Sequence, residues 1–96
     1  MSARMGFRRV VLGMDGSAHS RRAVAFLTRM KPPRGGRVTV VRSGVPLAEL
    51  LAAVRADRAD VLVLGARGAG AVTHFLLGSV AEAALKHAPV EVLIVK

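Results

Sequence analysis

Four short runs of consecutive apolar residues punctuate the chain and predict β-strands: Val10–Met14, Val38–Val41, Val61–Leu64 and Val92–Val95. Within each run the apolar side chains follow one another, without the alternation that marks a strand with one solvated face. Continuous runs of this kind are typical of parallel strands that are covered on both faces. The pattern therefore predicts a parallel sheet enclosed by helices.

The first two segments between these runs have the apolar spacing of helices. One extends over Ala18–Met30, with Ser17 or Ser20 as the candidate N-cap. The other begins at Pro46, a favoured first helical residue, and repeats apolar residues at i, i+3, i+4 and i+7. Those positions are Leu47, Leu50, Leu51 and Val54.

A third helix is predicted from Ser79 and must end before Pro89, because proline disfavours helical geometry at the residue before it. Ser79 and Glu82 have the Ser-x-x-Glu spacing of a capping box, which makes Ser79 the predicted N-cap. Residues 1–96 thus form one domain of four strands and three helices in alternation, with Met1–Phe7 as a loose tail.

Topology predicts a binding site before any motif is considered. Short right-handed crossovers give a doubly wound parallel sheet of strand order 2-1-3-4. Strand two is added on one side of strand one, and strands three and four on the other, so the direction of winding reverses between strands one and three. Ligands of open α/β sheets bind beyond the carboxyl ends of the strands at such a switch point. The segments that leave those two strands are MDGSAHS and GARGAGAVTHFLLGS.

The glycine-rich segment is either a slack connector or a cradle for an anion. Gly65 and Gly68 allow the backbone to approach a phosphate closely, with Arg67 between them to reach an oxygen. Gly78 and Ser79 fall at a helix start, where unpaired amides and the helix dipole favour negative charge. Capping alone also accounts for Ser79, and Phe75–Leu77 is predicted to be packing.

Asp15 leaves the first strand on the other side of the same crevice. It is either a turn residue that bonds its own loop or an acceptor for ribose hydroxyls or an adenine amine. His19, His74 and His87 are too dispersed for a metal site. No nucleophile–base pair, Walker sequence or GxGxxG dinucleotide sequence is present, which disfavours a dedicated hydrolase.

Charge and composition narrow the class of protein further. The net charge of +9 is concentrated in residues 1–48, which carry ten Arg or Lys and a single acid, Asp15. This half is either a basic face that binds nucleic acid, an acidic partner or a polyphosphate ligand, or it is a solvated arginine-rich surface. With no cysteine, no run long enough to span a bilayer and no signal peptide, we expect a cytoplasmic protein without membrane association.

The sequence resembles the universal stress protein family over nearly its whole length. RRVVLGMDGSAHSRRAVAFL is similar to that family's first strand, Asp-x-Ser turn and first helix. GARGAGAVTHFLLGSVAEAALKHAPVEVLIVK is similar to its closing half, including the nucleotide motif Gly-x2-Gly-x9-Gly-Ser. Gly65, Gly68, Gly78 and Ser79 fill that motif here.

The resemblance implies an adenine-nucleotide α-hydrolase-like fold that binds ATP. It implies phosphates and ribose on the glycine loop, Asp15 near the adenosine, and Mg only through the phosphates. It also implies a stress-response regulator with at most slow ATP hydrolysis, so enzymatic activity is not the expectation. The homodimer typical of the family would form through the last strand, Val92, Leu93, Ile94 and Val95.

The chain departs from the family pattern in the middle. GGRVTVVRSG, similar to the family's second strand, passes almost directly into GVPLAELL, which is similar to its third helix. One helix and the edge strand are therefore expected to be missing, together with part of the wall beside adenine, where the nearest residue is Ser43. The alternative is a basic interaction module, for nucleic acid or an acidic partner, that keeps the fold without productive nucleotide binding.

Overall fold

A computed structural model describes residues 7–14, 18–30, 33–42, 47–66 and 78–96. The described residues form four strands and three helices in strict alternation, as the hydrophobic pattern predicts. In chain order they are β1 (Arg9–Met14), α1 (Ala18–Met30), β2 (Arg37–Arg42), α2 (Leu47–Ala56), β3 (Val61–Gly65), α3 (Ser79–His87) and β4 (Glu91–Val95).

The four strands form one parallel sheet in the order β2-β1-β3-β4, which confirms the predicted topology. β1 pairs with β2 from Arg9↔Arg37 onward and with β3 from Val10↔Val61 onward. β3 continues the sheet to β4, beginning at Val61↔Glu91. β1 and β3 are thus the interior pair, and the direction of winding reverses between them.

Two apolar layers cover the sheet, one on each face. On the first face, α1 contributes Ala23 and Leu27 and packs on β1, β3 and β4. On the second face, α2 and α3 pack together, with Leu50, Leu51 and Val54 of α2 buried there as their spacing predicts. The interior strands are buried on both sides because their alternate residues serve the two layers: Val10, Leu12, Val61 and Val63 on the first face, and Val11, Leu62 and Leu64 on the second.

The helix boundaries agree with the pattern, but one predicted cap is wrong. Ser20 is the third residue of α1, and its exposed fraction is only 3%, so it faces the sheet within the first turn. The other candidates for helix starts, Ser17 and Pro46, lie outside the described residues. Of the predicted N-terminal tail, Phe7 is half-buried and packs against the α1 layer, whereas residues 1–6 lie outside the described range.

α2 ends in a tight turn that places Asp60 at the amino end of the sheet. The N–H of Ala59 donates to the carbonyl of Val54 at 2.9 Å, and Arg58 takes a left-handed φ of 50° between them. This i to i−5 bond with a left-handed residue is the Schellman geometry that terminates many helices. Here an arginine occupies the position that glycine usually takes.

Asp60 joins the first residues of β1 and β3 through three hydrogen bonds. Its N–H donates to the carbonyl of Arg9 at 2.7 Å. Its Oδ2 accepts from the backbone N–H of Arg8 at 2.8 Å and of Arg9 at 2.9 Å. These two donors, first Arg9 and then Arg8, hold the pKa of the Asp60 carboxyl below its ordinary value of 3.8.

None of the helices in the described ranges combines the length and the apolar character needed to cross a bilayer.

Because the folded state lowers the Asp60 pKa, ionised Asp60 stabilises the fold at pH values above its unfolded-state pKa of 3.8. This contribution decreases as pH falls from 3.8 through the lower folded-state pKa. We therefore expect Asp60→Ala and Asp60→Asn to lower the free energy of unfolding at pH 7, Asn less because its amide oxygen can still accept one hydrogen bond. In urea denaturation followed by circular dichroism, the deficit of both variants should be constant between about pH 5 and 7 and shrink below about pH 4.

Glu91→Gln is the control for that series, since it removes an exposed carboxyl from the start of β4. A deficit of the Asp60 variants that stayed unchanged down to pH 2 would contradict the role assigned to the ionised carboxylate.

Candidate functional site at the switch point

Gly65, the last residue of β3, lies directly against the first turn of α1. A Cβ built on Gly65 would come within 2.8 Å of the carbonyl carbon and Cβ of His19 and 2.9 Å of the backbone nitrogen of Ser20. Contacts below 3.0 Å with backbone atoms leave no room for a side chain. The absence of a side chain at Gly65 is therefore what allows the amino end of α1 to rest on the carboxyl end of β3.

Ala66 fixes the amino end of α3 to the same point. Its N–H donates to the carbonyl of Val95 at 2.8 Å, and its carbonyl accepts from the N–H of Gly78 at 2.7 Å. The residue is buried, with 4% of its surface exposed. The two residues that flank positions 67–77 are thus joined by one backbone hydrogen bond, which we call the Ala66–Gly78 stem.

The stem decides how α3 begins, and it corrects the predicted capping box. Gly78, not Ser79, is the N-cap, with extended φ and ψ of −64° and 158° and no side-chain capping bond. Its carbonyl accepts the first intrahelical bond, from the N–H of Glu82 at 2.9 Å. Because the Gly78 N–H donates to the Ala66 carbonyl, Gly78 lies just outside the helix and Ser79 is the first helical residue. Glu82 is then four residues after the N-cap, one position too late for a capping box.

No side chain caps the start of α3. Ser79 is exposed. Oε1 of Glu82 lies 3.6 Å from Nζ of Lys86, one turn later in the helix. Such an exposed pair contributes only about 0.3–0.5 kcal/mol to stability. The first backbone amides of any helix lack intrahelical partners and carry the positive end of its dipole. The Gly78 amide is used by the stem, so the donors that the helix geometry offers to an anion are those that follow it.

The structure brings together three of the predicted site residues. Gly65, Gly78 and Ser79 meet at the carboxyl end of β3, whereas Asp15, Arg67 and Gly68 lie outside the described residues. Asp15 directly follows β1 and Arg67 directly follows Ala66, so both adjoin this point along the chain. Ala66 itself was missed by sequence reasoning, because an alanine between two glycines gives no signal that its backbone joins two elements.

Metal binding has no candidate in the part of the chain that the structure describes, since no three His, Asp or Glu residues there cluster in a way that could hold an ion.

Two helix amino ends therefore converge on consecutive residues at a reversal of the strand order: α1 on Gly65 and α3 on Ala66. This arrangement defines a doubly wound α/β protein with a switch-point site. A profile of the Universal stress protein family matches residues 27–96, most of the chain. The chain belongs to the universal stress protein family, and that membership indicates a role in the stress response.

Known members of this family are similar to the chain over different lengths. The "Universal stress protein in QAH/OAS sulfhydrylase 3'region" of Thermus aquaticus is 25% identical over 136 residues, which cover 94% of this chain and 99% of that protein. Universal stress protein MJ0531 of Methanocaldococcus jannaschii is 40% identical over 58 residues, 60% of this chain but only 34% of that protein.

A solved structure supports the fold independently. The crystal structure of a hypothetical protein, PH0823, superposes with a TM-score of 0.66 over 93% of this chain and 94% of its own. At 19% sequence identity, this likeness concerns the fold alone.

The alignment with the Thermus protein also shows that this domain is short. It runs over 136 positions, whereas this chain has 96 residues and is matched over 94% of its length. The relative therefore carries additional residues within the aligned region. This agrees with the expected loss of one helix and one edge strand, and in the described sheet β2 is indeed at the edge.

Replacing Gly65 with alanine should displace the first turn of α1, because the new Cβ meets backbone atoms that cannot rotate away. We expect a loss of about 1–3 kcal/mol in the free energy of unfolding, measured by urea denaturation. Gly13→Ala is the comparison, since the atoms nearest to its Cβ would be the side-chain ends of Leu64 and Leu50 and not backbone atoms. Equal losses in the two variants would show that the approach of α1 to Gly65 is not the limiting contact.

Replacing Ser79 with alanine distinguishes the observed start of α3 from the capping box. A serine at the N-cap contributes about 1 kcal/mol. An exposed serine inside the first turn contributes less than about 0.5 kcal/mol. We therefore expect Ser79→Ala to lower the free energy of unfolding by less than about 0.5 kcal/mol, measured by thermal and urea unfolding. A loss of about 1 kcal/mol or more would instead restore Ser79 as the cap.

Proposed function

We propose that the protein binds ATP at the carboxyl ends of β1 and β3 and acts in the stress response as a nucleotide-dependent regulator. The observation that carries the proposal is the Ala66–Gly78 stem, because it brings the amino end of α3 to the end of β3. Phosphate binding requires several N–H donors at one concavity, and a helix amino end beside a glycine-rich connection supplies them.

Each predicted site residue has a role in this proposal. The backbone between Gly65 and Gly68 approaches the phosphates closely, and Arg67 contacts a phosphate oxygen. Gly78 provides a cap without a side chain, while the amide or hydroxyl of Ser79 donates to phosphate. Asp15, which directly follows β1, accepts from the ribose or the adenine. Magnesium would be held only through the phosphates.

The interior position of β1 and β3 explains how a shortened domain could keep this site. Each of the two strands has a hydrogen-bonded neighbour on both sides, and they pair with one another as far as Leu12↔Val63. The missing elements belong beyond β2, at the edge of the sheet. We therefore expect the phosphate side of the site to be retained, and selectivity for the base to be weakest on the adenine side.

The proposed assembly is a homodimer through β4. β4 is the edge of the described sheet opposite β2, and Val92, Leu93, Ile94 and Val95 are all only half-buried in the single chain. Pairing with a second copy would bury these side chains further, at about 25 cal/mol per Å² of apolar surface. This arrangement leaves the switch point open to ligand.

Isothermal titration with ATP tests the nucleotide site, after mass spectrometry of any ligand released from the purified protein. We expect binding that Gly68→Ala and Gly78→Ala each weaken by at least about tenfold. Alanine can adopt the φ of −64° at Gly78, but it is a poorer N-cap than glycine, so urea denaturation measures the stability of this variant in parallel. Gly36→Ala, before β2 at the other end of the sheet, makes the same change away from the site.

Two results would overturn the proposal: protein that carries no nucleotide and gives no heat with millimolar ATP, or binding that the Gly68 and Gly78 variants leave unchanged. Comparing ATP with GTP then measures how much base selectivity the shortened sheet retains.

The second candidate is a basic interaction module for nucleic acid or an acidic partner. It is favoured by the arginines exposed on α1 and at the start of β2, with no acid on α1, β1 or β2: Arg21, Arg22, Arg29 and Arg37. Repeating the titrations, with ATP and with nucleic acid, at several salt concentrations distinguishes the two candidate functions. Nucleic-acid affinity falls steeply and linearly in log salt because counterions are released, whereas binding of an enclosed nucleotide falls less.

A further inference from the structure

An apolar groove lies on the α1 face of the sheet, above β2 and beside α1. It has a volume of about 380 Å³ and is lined by Val24, Leu27 and Thr28 of α1 and by Leu12, Met14, Val38 and Val40 of β1 and β2. Val40 of β2 has 51% of its surface exposed, although β1, the strand beside it, is an interior strand of the sheet.

The groove exists because the two faces of the sheet are covered unequally. Strands are about 4.8 Å apart and packed helices about 8–10 Å apart, so one helix covers about two strands. The face with α2 and α3 therefore has two helices for four strands, whereas α1 is the one helix on the opposite face among the described residues. α1 packs mainly on β1, β3 and β4, so among the described helices none is centred on β2, and only Val38 of β2 packs against the α1 layer.

The groove thus lies where a helix covering β2 would pack. The Thermus relative carries additional residues within the aligned region, and the break in the family pattern falls directly after β2. In a doubly wound fold, a helix connecting β2 to a further edge strand would lie on this same face, because right-handed crossovers in one direction place their helices on one side.

Charge indicates what kind of segment could occupy this groove. Arg21 precedes Val24 by one turn of α1, and the Arg8 guanidinium reaches the turn before β2, within 3.5 Å of the position of a Cβ on Gly35. No acidic residue lies on α1, β1 or β2. A second copy would bring this basic face against its own like charge in a chain of net charge +9, whereas an acidic segment would be attracted.

We propose that this groove docks an amphipathic helix of a partner protein, with aliphatic side chains entering between α1 and β2 and acidic side chains on its flanks. The partner helix completes the layer that the shortened domain lacks. Such helix-in-groove recognition uses apolar anchors at i, i+3, i+4 and i+7. The proposal is independent of nucleotide binding, and its test contains no nucleotide.

The probe is a synthetic peptide of about 14 residues, roughly four helical turns, with leucines at those anchor positions and glutamates on the flanks. A second peptide replaces the glutamates with lysines. Fluorescence anisotropy measures affinity, and ¹H–¹⁵N spectra of the full chain locate the site. We expect the acidic peptide to bind at least about tenfold more tightly than the basic one and to shift the amides of Val24, Thr28, Val38 and Val40.

Val40→Lys separates docking in the groove from attraction to charge alone. The substitution adds a positive charge, so a purely electrostatic contact would strengthen, whereas docking should weaken by at least about tenfold as the groove loses its apolar floor. Leu85→Lys is the matched control, because Leu85 is also 51% exposed but lies on α3 against the other face. It should leave the affinity unchanged. An exposed lysine on an edge strand is well tolerated, so Val40→Lys should remain folded.

Four results would overturn the proposal. Two concern the peptide: equal binding of the acidic and basic versions, or shifts that map away from α1 and β2. The other two concern the free protein. A change of sedimentation in Val40→Lys alone would make a second copy the occupant, and nuclear Overhauser contacts from the Val40 methyls to residues 1–6 or 67–77 would make it the chain's own segment.

Discussion

The close approach of two helix amino ends to the end of β3 is the constraint on which the rest of the molecule depends. Gly65 admits the backbone of His19 and Ser20 because it has no side chain, and Ala66 binds Gly78 and Val95 through its two backbone groups. These contacts join both helical layers and β4 to one strand end. They set the start of α1 and the start of α3 together, so a change at Gly65 or Ala66 also changes the packing of both helices.

The opposite end of the sheet is organised by other means. There Asp60 binds the amino ends of β1 and β3 with one carboxylate oxygen and its own amide, after a Schellman turn that ends α2. Hydrogen bonds between a carboxylate and backbone N–H groups are among the stronger ones in proteins. One pole of the domain is therefore held by charge-assisted bonds, and the other by steric fit and backbone pairing.

Much of the fold could be predicted because it depends on patterns that are local in sequence. The four apolar runs and the leucines at helical spacing in α2 specify buried strands and a helix stripe, and handedness then fixes the strand order. Ser20 was one of two candidates for the α1 cap and is not the cap, because a serine in a first turn has the same local signal whether it caps the helix or is buried within it. The predicted N-cap of α3, Ser79, is one position too late. The hydrogen bond that decides the helix start, from the Gly78 N–H to the Ala66 carbonyl, joins residues that are far apart in the sequence.

The residues that sequence reasoning missed act through distant partners. Asp60 finds its donors 51 and 52 residues away in the chain, and nothing near it in sequence identifies them. Gly65 was assigned to an anion cradle, and the structure adds a second requirement for glycine at the same position, the contact with α1. A glycine in a ligand motif can thus be required by packing as well, and its chemistry cannot be separated from its sterics by inspection of the motif.

The Ala66–Gly78 stem also bears on how this protein could diverge. Closing a flexible connection costs free energy that grows only with the logarithm of its length, about 0.6 kcal/mol for each doubling. The stem is a bond between two backbone groups at the ends of this connection, so a change in the length of the connection adds little to the cost of closing it. Evolution can therefore vary the number of residues between Ala66 and Gly78 at small cost in closure free energy, whereas Gly65 and Ala66 themselves are constrained by the elements packed on them.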